Sequence, residues 1–389
     1  MSVRAESHGT TDGIMRRVLA FLLYVTVCHG KAEFSGRARN FSIELLHYTA
    51  LETDGHVVIS PFGVWTLMTG VALGATGQSY EQLTKAFLLP KNRNTLIKGY
   101  TNLTKAVLNP NTSAVSLTSK NFVFLDTGFT IYDEFRQTIQ DDFGAMIQTL
   151  DFKDSSKAAD AANSLIQKSG ATVSNVLRSD DFTESRMILT NAISFKGLWA
   201  LPFNTSETTL EPFYDENHKE IGKRWSFRTG TDGKYSMLLL LPYPKVRVTE
   251  MYKNFEVVSI KEIFAQLQSD VDEYGLEEID VRLPRFRIST NVVLNKPLSH
   301  MEVKDIFQPH LASFGRATKE EIFVSAIIHK ADIEVTESGT VASASTSAFL
   351  ADRIASPNFQ ANRPFVYFVM EKTTTTVIFG GIYSKPTIF

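Results

Sequence analysis

The stretch Ser338-Gly339-Thr340-Val341-Ala342-Ser343-Ala344-Ser345-Thr346-Ser347-Ala348-Phe349-Leu350-Ala351 carries no proline and no charge. Its residues are small or strand-compatible. Asp352-Arg353-Ile354 and Pro357-Asn358 follow at once, and no helical signal appears before Pro364. A long segment without structure of its own inside a compact domain is usually functional or disordered. A disordered linker would carry more charge and proline, and an ordinary edge strand would be shorter or guarded by charge. The composition fits a loop that can become a strand. Thr340, Ala342, Ala344, Thr346 and Ala348 share one face at period two. All five are small, so this face can slide into a preformed gap in a sheet. Proline would delete a ladder donor there, and a charge would be buried unpaired.

The flanking sequence supplies such a sheet. Phe365 to Met370 and Thr376 to Phe379 are continuous β-type runs split by Glu371-Lys372-Thr373-Thr374, which reads as a hairpin buried on both faces. Ile279, Val281 and Leu283 alternate with Asp280 and Arg282, as in a half-buried strand. Ser116–Leu125 and Met187–Phe195 are strand-like. The first half, from Phe41 to about Leu177, reads mainly as helices. There, Trp65, Met68, Val71 and Ala72 recur at helical spacing after Ser60-Pro61, a capping serine followed by proline. Gly70, Gly74 and Gly77 are expected to loosen and end that helix. Helices first and strands later predict an α+β fold.

The chain has 389 residues, 43% hydrophobic and 21% charged, with a net charge of −2. Nothing in that balance points to nucleic acid or an anionic membrane. Met15-Arg16-Arg17 followed by the apolar run Val18–Val27 and the small residues Cys28 and Gly30 reads as a signal peptide, residues 1–30, cleaved near Gly30–Lys31. Either translation starts at Met15 or the polar lead of fourteen residues is unusually long. The alternative is a buried N-terminal helix. The run is too short to span a bilayer. Cys28 is the one cysteine, so the expected mature chain is secreted, extracellular and free of disulfides, held together by its core. Asn40, Asn102, Asn111 and Asn204 open Asn-x-Ser/Thr sequons and are glycosylation candidates. Enzyme signatures are missing: no Gly-x-Ser-x-Gly elbow, no His-Glu-x-x-His and no phosphate loop. Eight histidines less His8 and His29 leave six beyond residue 30, with no metal-like spacing. No catalytic residue, cofactor or metal is expected.

Several motifs, in order, resemble the serpin family over nearly all of the chain beyond residue 30. Val57-Val58-Ile59-Ser60-Pro61 and Gly74-Ala75-Thr76-Gly77-Gln78 are similar to its second-helix motif, and Asn191-Ala192-Ile193-Ser194-Phe195-Lys196-Gly197-Leu198-Trp199 to its central-sheet signature. Leu283-Pro284-Arg285-Phe286 matches a later strand. His329-Lys330-Ala331 through Glu337-Ser338-Gly339-Thr340 is similar to the hinge, and Asn362-Arg363-Pro364-Phe365 and Phe379-Gly380-Gly381 close the pattern. The resemblance implies one domain over residues 31–389, with roughly nine helices around three β-sheets and an exposed reactive-centre loop at about 338–362. It implies a suicide mechanism: a protease serine attacks the bait bond and forms an acyl-enzyme, and the cut loop inserts into the central sheet.

Family spacing from the hinge glutamate, and back from Pro364, places the bait bond at Arg353–Ile354, with Pro357 shortly after the cut. An arginine bait suits a trypsin-like serine protease, bound as a covalent complex by a monomer. A loop arginine without a role is the alternative. The implied hinge is Glu337, Gly339, Thr340, Ala342 and Ala344. Glu337 and Arg285 match the loop-base ion pair, and Ser60, Asn191 and His329 the polar cluster under the sheet. Lys91, Arg93, Lys98 and Lys105 lie where some serpins bind heparin-like polyanions; a merely solvated face is the competing reading. The chain departs from the pattern at Gly63, where a second cluster serine is usual, at Leu165 for a tryptophan, and in Gln167–Val173, one residue short. The segment from Phe213 to Met237 is markedly compressed. It favours a runner-up function, a non-inhibitory serpin acting as carrier, storage protein or decoy.

Overall fold

The computed structural model describes residues 20–21, 32–53, 55–109, 115–171, 173–199, 203, 206, 208–227, 234–255, 260–274, 280–337 and 358–386. In chain order the strands are β1 (Ala20–Phe21), β2 (Val57–Ile59), β3 (Val115–Asp126), β4 (Met146–Leu150), β5 (Met187–Gly197), β6 (Thr209–Tyr214), β7 (Glu220–Phe227), β8 (Tyr235–Leu240), β9 (Asp280–Pro284), β10 (Phe286–Val293), β11 (Ala326–Val335), β12 (Asn358–Gln360), β13 (Phe365–Glu371) and β14 (Thr376–Tyr383). The α-helices are α1 (Ala32–Leu51), α2 (Pro61–Gly74), α3 (Gly77–Ala86), α4 (Arg93–Leu108), α5 (Asp133–Gln137), α6 (Ser155–Lys168), α7 (Val248–Phe255), α8 (Ile260–Tyr274) and α9 (Asn295–His300). Among the described residues, then, nine α-helices surround three sheets in a mixed α+β architecture. The central sheet runs β10-β11-β5-β3-β4. A second sheet runs β1-β8-β13-β14-β2, and a third β12-β9-β7-β6.

The hairpin expected at the C-terminal end is the heart of the second sheet. β13 and β14 pair antiparallel and are buried at every position. Their polar break becomes a self-capped turn, in which the Glu371 carboxylate accepts from the Thr374 N–H at 2.7 Å and its hydroxyl at 2.6 Å. The glycines that follow Phe379 make room for a ring: a Cβ on Gly381 would come within 2.3 Å of the Tyr367 phenol. Phe286 brings β10 of the central sheet against Tyr367 and Tyr383, at ring-centroid distances of 5.2 and 5.1 Å. The aromatic contacts thereby join the two sheets.

Helix α2 lies inside this core. Ser60 caps it, its hydroxyl accepting from the Gly63 N–H at 3.0 Å, and Pro61 occupies the first turn. All fourteen of its residues are buried, as in a helix that is apolar all round. Gly70 does not loosen it, and the helix ends, as expected, at Gly74. A Cβ on Gly70 would meet Ile139 at 3.2 Å, and one on Gly74 would meet the Phe135 ring at 2.7 Å and Ala317 at 2.9 Å. These glycines are contact points for α5 and the π-helical turn Thr138–Asp142 behind it. Gly77 does mark a boundary; its φ of +52° starts α3 rather than ending α2. On the opposite face of the central sheet, Ala158, Ala159, Ala162 and Ile166 of α6 cover Phe122 and Phe124 of β3 and Ile188 of β5 in a second, smaller cluster. Leu165 packs at its border.

The compressed segment is a tight hairpin. β6 and β7 pair antiparallel around a turn in which the Asp215 carboxylate accepts from the Asn217 and Lys219 N–H groups. β7 ends at Phe227 in the third sheet, and β8 begins at Tyr235 in the second. Only seven residues, 228–234, separate two sheets here.

Gly74→Ala tests the close approach of α5 to α2. It is expected to lower the unfolding free energy by about 1–3 kcal/mol, the usual range for overpacking a filled core, in a urea titration followed by tryptophan fluorescence.

Candidate functional site

The middle of the central sheet has an unusual neighbour relation. β11 pairs antiparallel with β10 on one side and parallel with β5 on the other, from Ala326 opposite Ile188 to Ile333 opposite Phe195. β11 ends at Val335, and Thr336 and Glu337 continue it. The next described element, β12, lies parallel to β9 in the third sheet. Residues 338–357 therefore connect the end of the β5/β11 pair to a different sheet. A strand formed just after Glu337 and entering between β5 and β11 must double back. It would run antiparallel to both neighbours, the pairing that is slightly stronger per residue.

The end of the pair is tied down by residues from several elements. Glu337 is buried; its carbonyl accepts from the Phe203 N–H at 2.8 Å and its carboxylate from the Thr208 hydroxyl at 3.0 Å. The other carboxylate oxygen lies 3.4 Å from Nε of Arg285, the single residue between β9 and β10. The Trp199 indole, just past β5, donates to the Thr336 carbonyl at 2.7 Å, and its ring meets Phe203 edge-on at 5.4 Å. Trp199 belongs to a motif visible in the sequence, whereas Phe203 and Thr208 carry no sequence signal; only the fold brings them to Glu337.

Beneath the strands the structure brings Ser60, Asn191 and His329 together, in two separate halves. On the β11 side, His329 Nε2 accepts from the Ser60 N–H at 2.8 Å, and the Ser60 hydroxyl donates to the Ile378 carbonyl at 2.6 Å. On the β5 side, the Asn191 amide donates to Asn121 at 2.7 Å and, more weakly, to Ser119 at 3.3 Å. Asn121 donates in turn to Thr66 of α2 at 3.1 Å. His329 and Asn191 face each other across the ladder, and the imidazole meets the Asn191 backbone. The side-chain networks on the two sides share only their anchor on α2. Gly63 fits this arrangement sterically: a Cβ there would stand 2.3 Å from Asn191 Oδ1. Its missing side chain is the room that Asn191 occupies. Asn121 and Thr66 carry no sequence signal, because polar residues in a strand or a helix resemble an exposed face.

Gly339, Thr340, Ala342 and Ala344 of the expected hinge lie outside the described residues, as do Arg353 and Ile354. Lys91, Arg93, Lys98 and Lys105 are all exposed, three of them on α4 and Lys91 just before it. Lys98 and Lys105, seven residues apart, share one side of that helix. Asn102 is exposed on α4; Asn40 falls within α1, its side chain outside the described residues, as are Asn111 and Asn204. Among the described residues no helix is long and apolar enough to cross a membrane, and no group of three His, Cys, Asp or Glu side chains has metal-binding geometry.

His329 makes this region sensitive to acid. Desolvation by burial lowers its pKa from 6.5 to about 3, with the Asn191 backbone bond opposing slightly. The folded chain thus holds it neutral, while an unfolded chain takes up its proton near pH 6.5. Stability from this group is complete above pH 6.5 and is lost as pH falls from there toward 3. By pH 5 the loss amounts to about 2 kcal/mol. His56, lowered to about 4 by burial and then by Lys385, acts in the same direction. His329→Gln, which keeps an acceptor for Ser60, is expected to shrink the difference in unfolding free energy between pH 8 and pH 5 by about 2 kcal/mol.

The model of the family described as Serpin (serine protease inhibitor) matches residues 37–224 and 226–386. Antithrombin-III of Homo sapiens is 27% identical over 366 residues, covering 86% of this chain and 77% of its own length. Glia-derived nexin of Mus musculus is 28% identical over 355 residues, covering 85% and 88%. In structure, the chain is similar to native protease nexin-1 with heparin, with a TM-score of 0.79 at 24% identity over 92% of this chain and all of that one. Human thyroxine-binding globulin complexed with thyroxine gives 0.75 at 19% identity, again over 92% of this chain and all of that one. At these identities the solved structures speak to fold alone, but the family model spans almost the whole described chain: the chain belongs to the serpin family.

Proposed function

We propose that this serpin is a secreted suicide inhibitor of trypsin-like serine proteases, with Arg353–Ile354 as its bait bond. The observation that carries this reading is the parallel β5/β11 pair with a long loop of small residues attached directly to its end. The protease serine attacks the Arg353 carbonyl and the peptide bond to Ile354 breaks, leaving an acyl-enzyme on the Arg353 side. The freed segment after Glu337 then enters between β5 and β11. Thr340, Ala342, Ala344, Thr346 and Ala348 turn toward the core, where their size suits a narrow slot. Residues 341–353 in extended form span roughly 43 Å, enough to carry the attached protease along the length of the sheet. No residue of the inhibitor acts as a catalyst. Secretion follows from reading residues 1–30 as a cleaved signal peptide, and Asn102, exposed on α4, is open to a glycan.

Incubation with trypsin followed by a denaturing gel tests the mechanism. A covalent band at the summed mass, absent for Arg353→Ala, is the expected outcome. Cleavage after Arg353 without that band would turn the assignment to the carrier, storage or decoy function, which the compressed segment between β6 and β8 favours.

The exposed bases of α4 add a second partner, a heparin-like polyanion. Support comes from the pairing of Lys98 with Lys105 on one side of the helix and from the related nexin-1 solved with heparin. Replacing both lysines by alanine is expected to lower the salt concentration that elutes the protein from immobilised heparin and to reduce the salt dependence of binding by about two counterions. Unchanged elution would assign these lysines to a solvated face.

A further inference from the structure

α6 and its return segment, residues 169–186, lie as a lid over the part of the central sheet farthest from Glu337. Val173, Val176 and Leu177 of that segment pack, with α6, in one cluster with Ile188 and Ala192 of β5 and Ala326 and Ile328 of β11. By its chain the lid belongs to one side of the β5/β11 seam. It leaves the sheet from β4 and returns as β5, and β4, β3 and β5 are neighbours there. One side chain folds the return segment onto α6. Asn163 Oδ1 accepts from the Val176 and Leu177 N–H groups at 3.0 and 3.1 Å, and its amide donates to the Leu177 carbonyl at 2.7 Å.

The Val176 carbonyl is held from the opposite side of the seam. It accepts at 2.9 Å from the side-chain amide of Asn291. Asn291 stands on the exposed face of β10, opposite Lys330 of β11. The bond therefore starts on the β10/β11 side and ends on a lid carried by β4 and β5. At the foot of the seam Ser325 bonds Arg186 and Met187. Above that point, among the described residues, the bond from Asn291 to Val176 is the one hydrogen bond that joins the lid to the β10/β11 side.

This bond is incompatible with a wider seam. A strand added between β5 and β11 moves them about 4.8 Å further apart. Asn291 and the Val176 carbonyl then separate beyond bonding distance unless the lid leaves β5. The covered part of the seam, up to Ala192 and Ile328, is the part that a strand entering at Glu337 reaches last.

We propose that Asn291 is a latch: it fastens the lid across the seam, restrains opening of the lower seam, and sets the rate of the last part of loop insertion. The insertion step rests on the inhibitory reading; the latch on the closed sheet does not. While an acyl-enzyme persists, water can attack the Arg353 ester, which returns the protease serine hydroxyl and leaves the Arg353 carboxylate. A slower last step gives that hydrolysis more time. Asn291 thereby helps to decide what fraction of cleaved chains hold their protease. It is a positioning residue, acting through the lid rather than on the bait bond.

The test uses the full chain and two substitutions that remove the donor in different ways. Asn291→Asp keeps the shape, and Asn291→Val suits an exposed strand position. Ser289→Ala is the control, since the Ser289 hydroxyl accepts from Lys330 at 2.7 Å within the β10/β11 side. Amides of residues 188–192 and 326–330 are expected to exchange about fivefold faster in both Asn291 variants, with β13 and β14 unchanged. After mixing with trypsin, the ratio of covalent complex to free cleaved chain is expected to rise by about the same factor, and to keep the parent value in Ser289→Ala. Equal exchange in parent and variants, or equally faster exchange in β13 and β14, would overturn the latch. Faster exchange with an unchanged ratio would overturn its part in insertion. A parent chain that forms no covalent complex would refute the inhibitory reading instead, and the exchange comparison would still decide the latch.

Discussion

The parallel pairing of β5 with β11 is the constraint on which the rest depends. Parallel neighbours cannot be joined by a tight turn, and here they come from distant parts of the chain, Met187–Gly197 and Ala326–Val335. Their common direction leaves both ladder edges compatible with one antiparallel strand between them. The segment long enough to supply that strand begins two residues beyond β11. Its far end is fixed in the third sheet through β12 and β9. The closed sheet and the loop are therefore two uses of one arrangement.

What holds the pair closed differs along its length. At the loop end the contacts converge on the strand extension, with Trp199 on Thr336, Phe203 and Thr208 on Glu337, and Arg285 beside it. The ion pair is a minor part of this, since the Arg285 side chain keeps 31% of its surface in water and partly exposed pairs contribute little. The buried hydrogen bonds matter more, because removing one partner strands the other. Further down, the Ser60–His329 half and the Asn191–Asn121–Thr66 half are each bonded within themselves, and across the seam the His329 imidazole meets the Asn191 backbone.

The sequence made some of this legible and concealed the rest for a physical reason. The β13/β14 hairpin was readable because burial on both faces leaves an uninterrupted apolar run. The start of α2 was readable because Ser60 and Pro61 act within one turn. Gly70 reads as a helix breaker in one dimension, while its use here is to admit Ile139, and Gly74, which does end α2, also admits Phe135; both partners lie more than sixty residues further along the chain. Gly63 seemed a lost hydroxyl and is in three dimensions the space for Asn191. Glu337 with Arg285, and Ser60 with Asn191 and His329, could be grouped only through family resemblance; composition alone gives no reason to join them. The hinge and bait bond rest on sequence reading alone, their residues falling outside the described structure.

Residues 338–351 have the composition of a strand in waiting, and what they can contain follows from where they would go. In the proposed insertion they enter between β5 and β11, two strands whose faces are already packed, so the inward side chains must be small, and Thr340, Ala342 and Ala344 are. Insertion into the middle of a sheet selects against volume and against charge, because nothing there can make room for the one or pair the other.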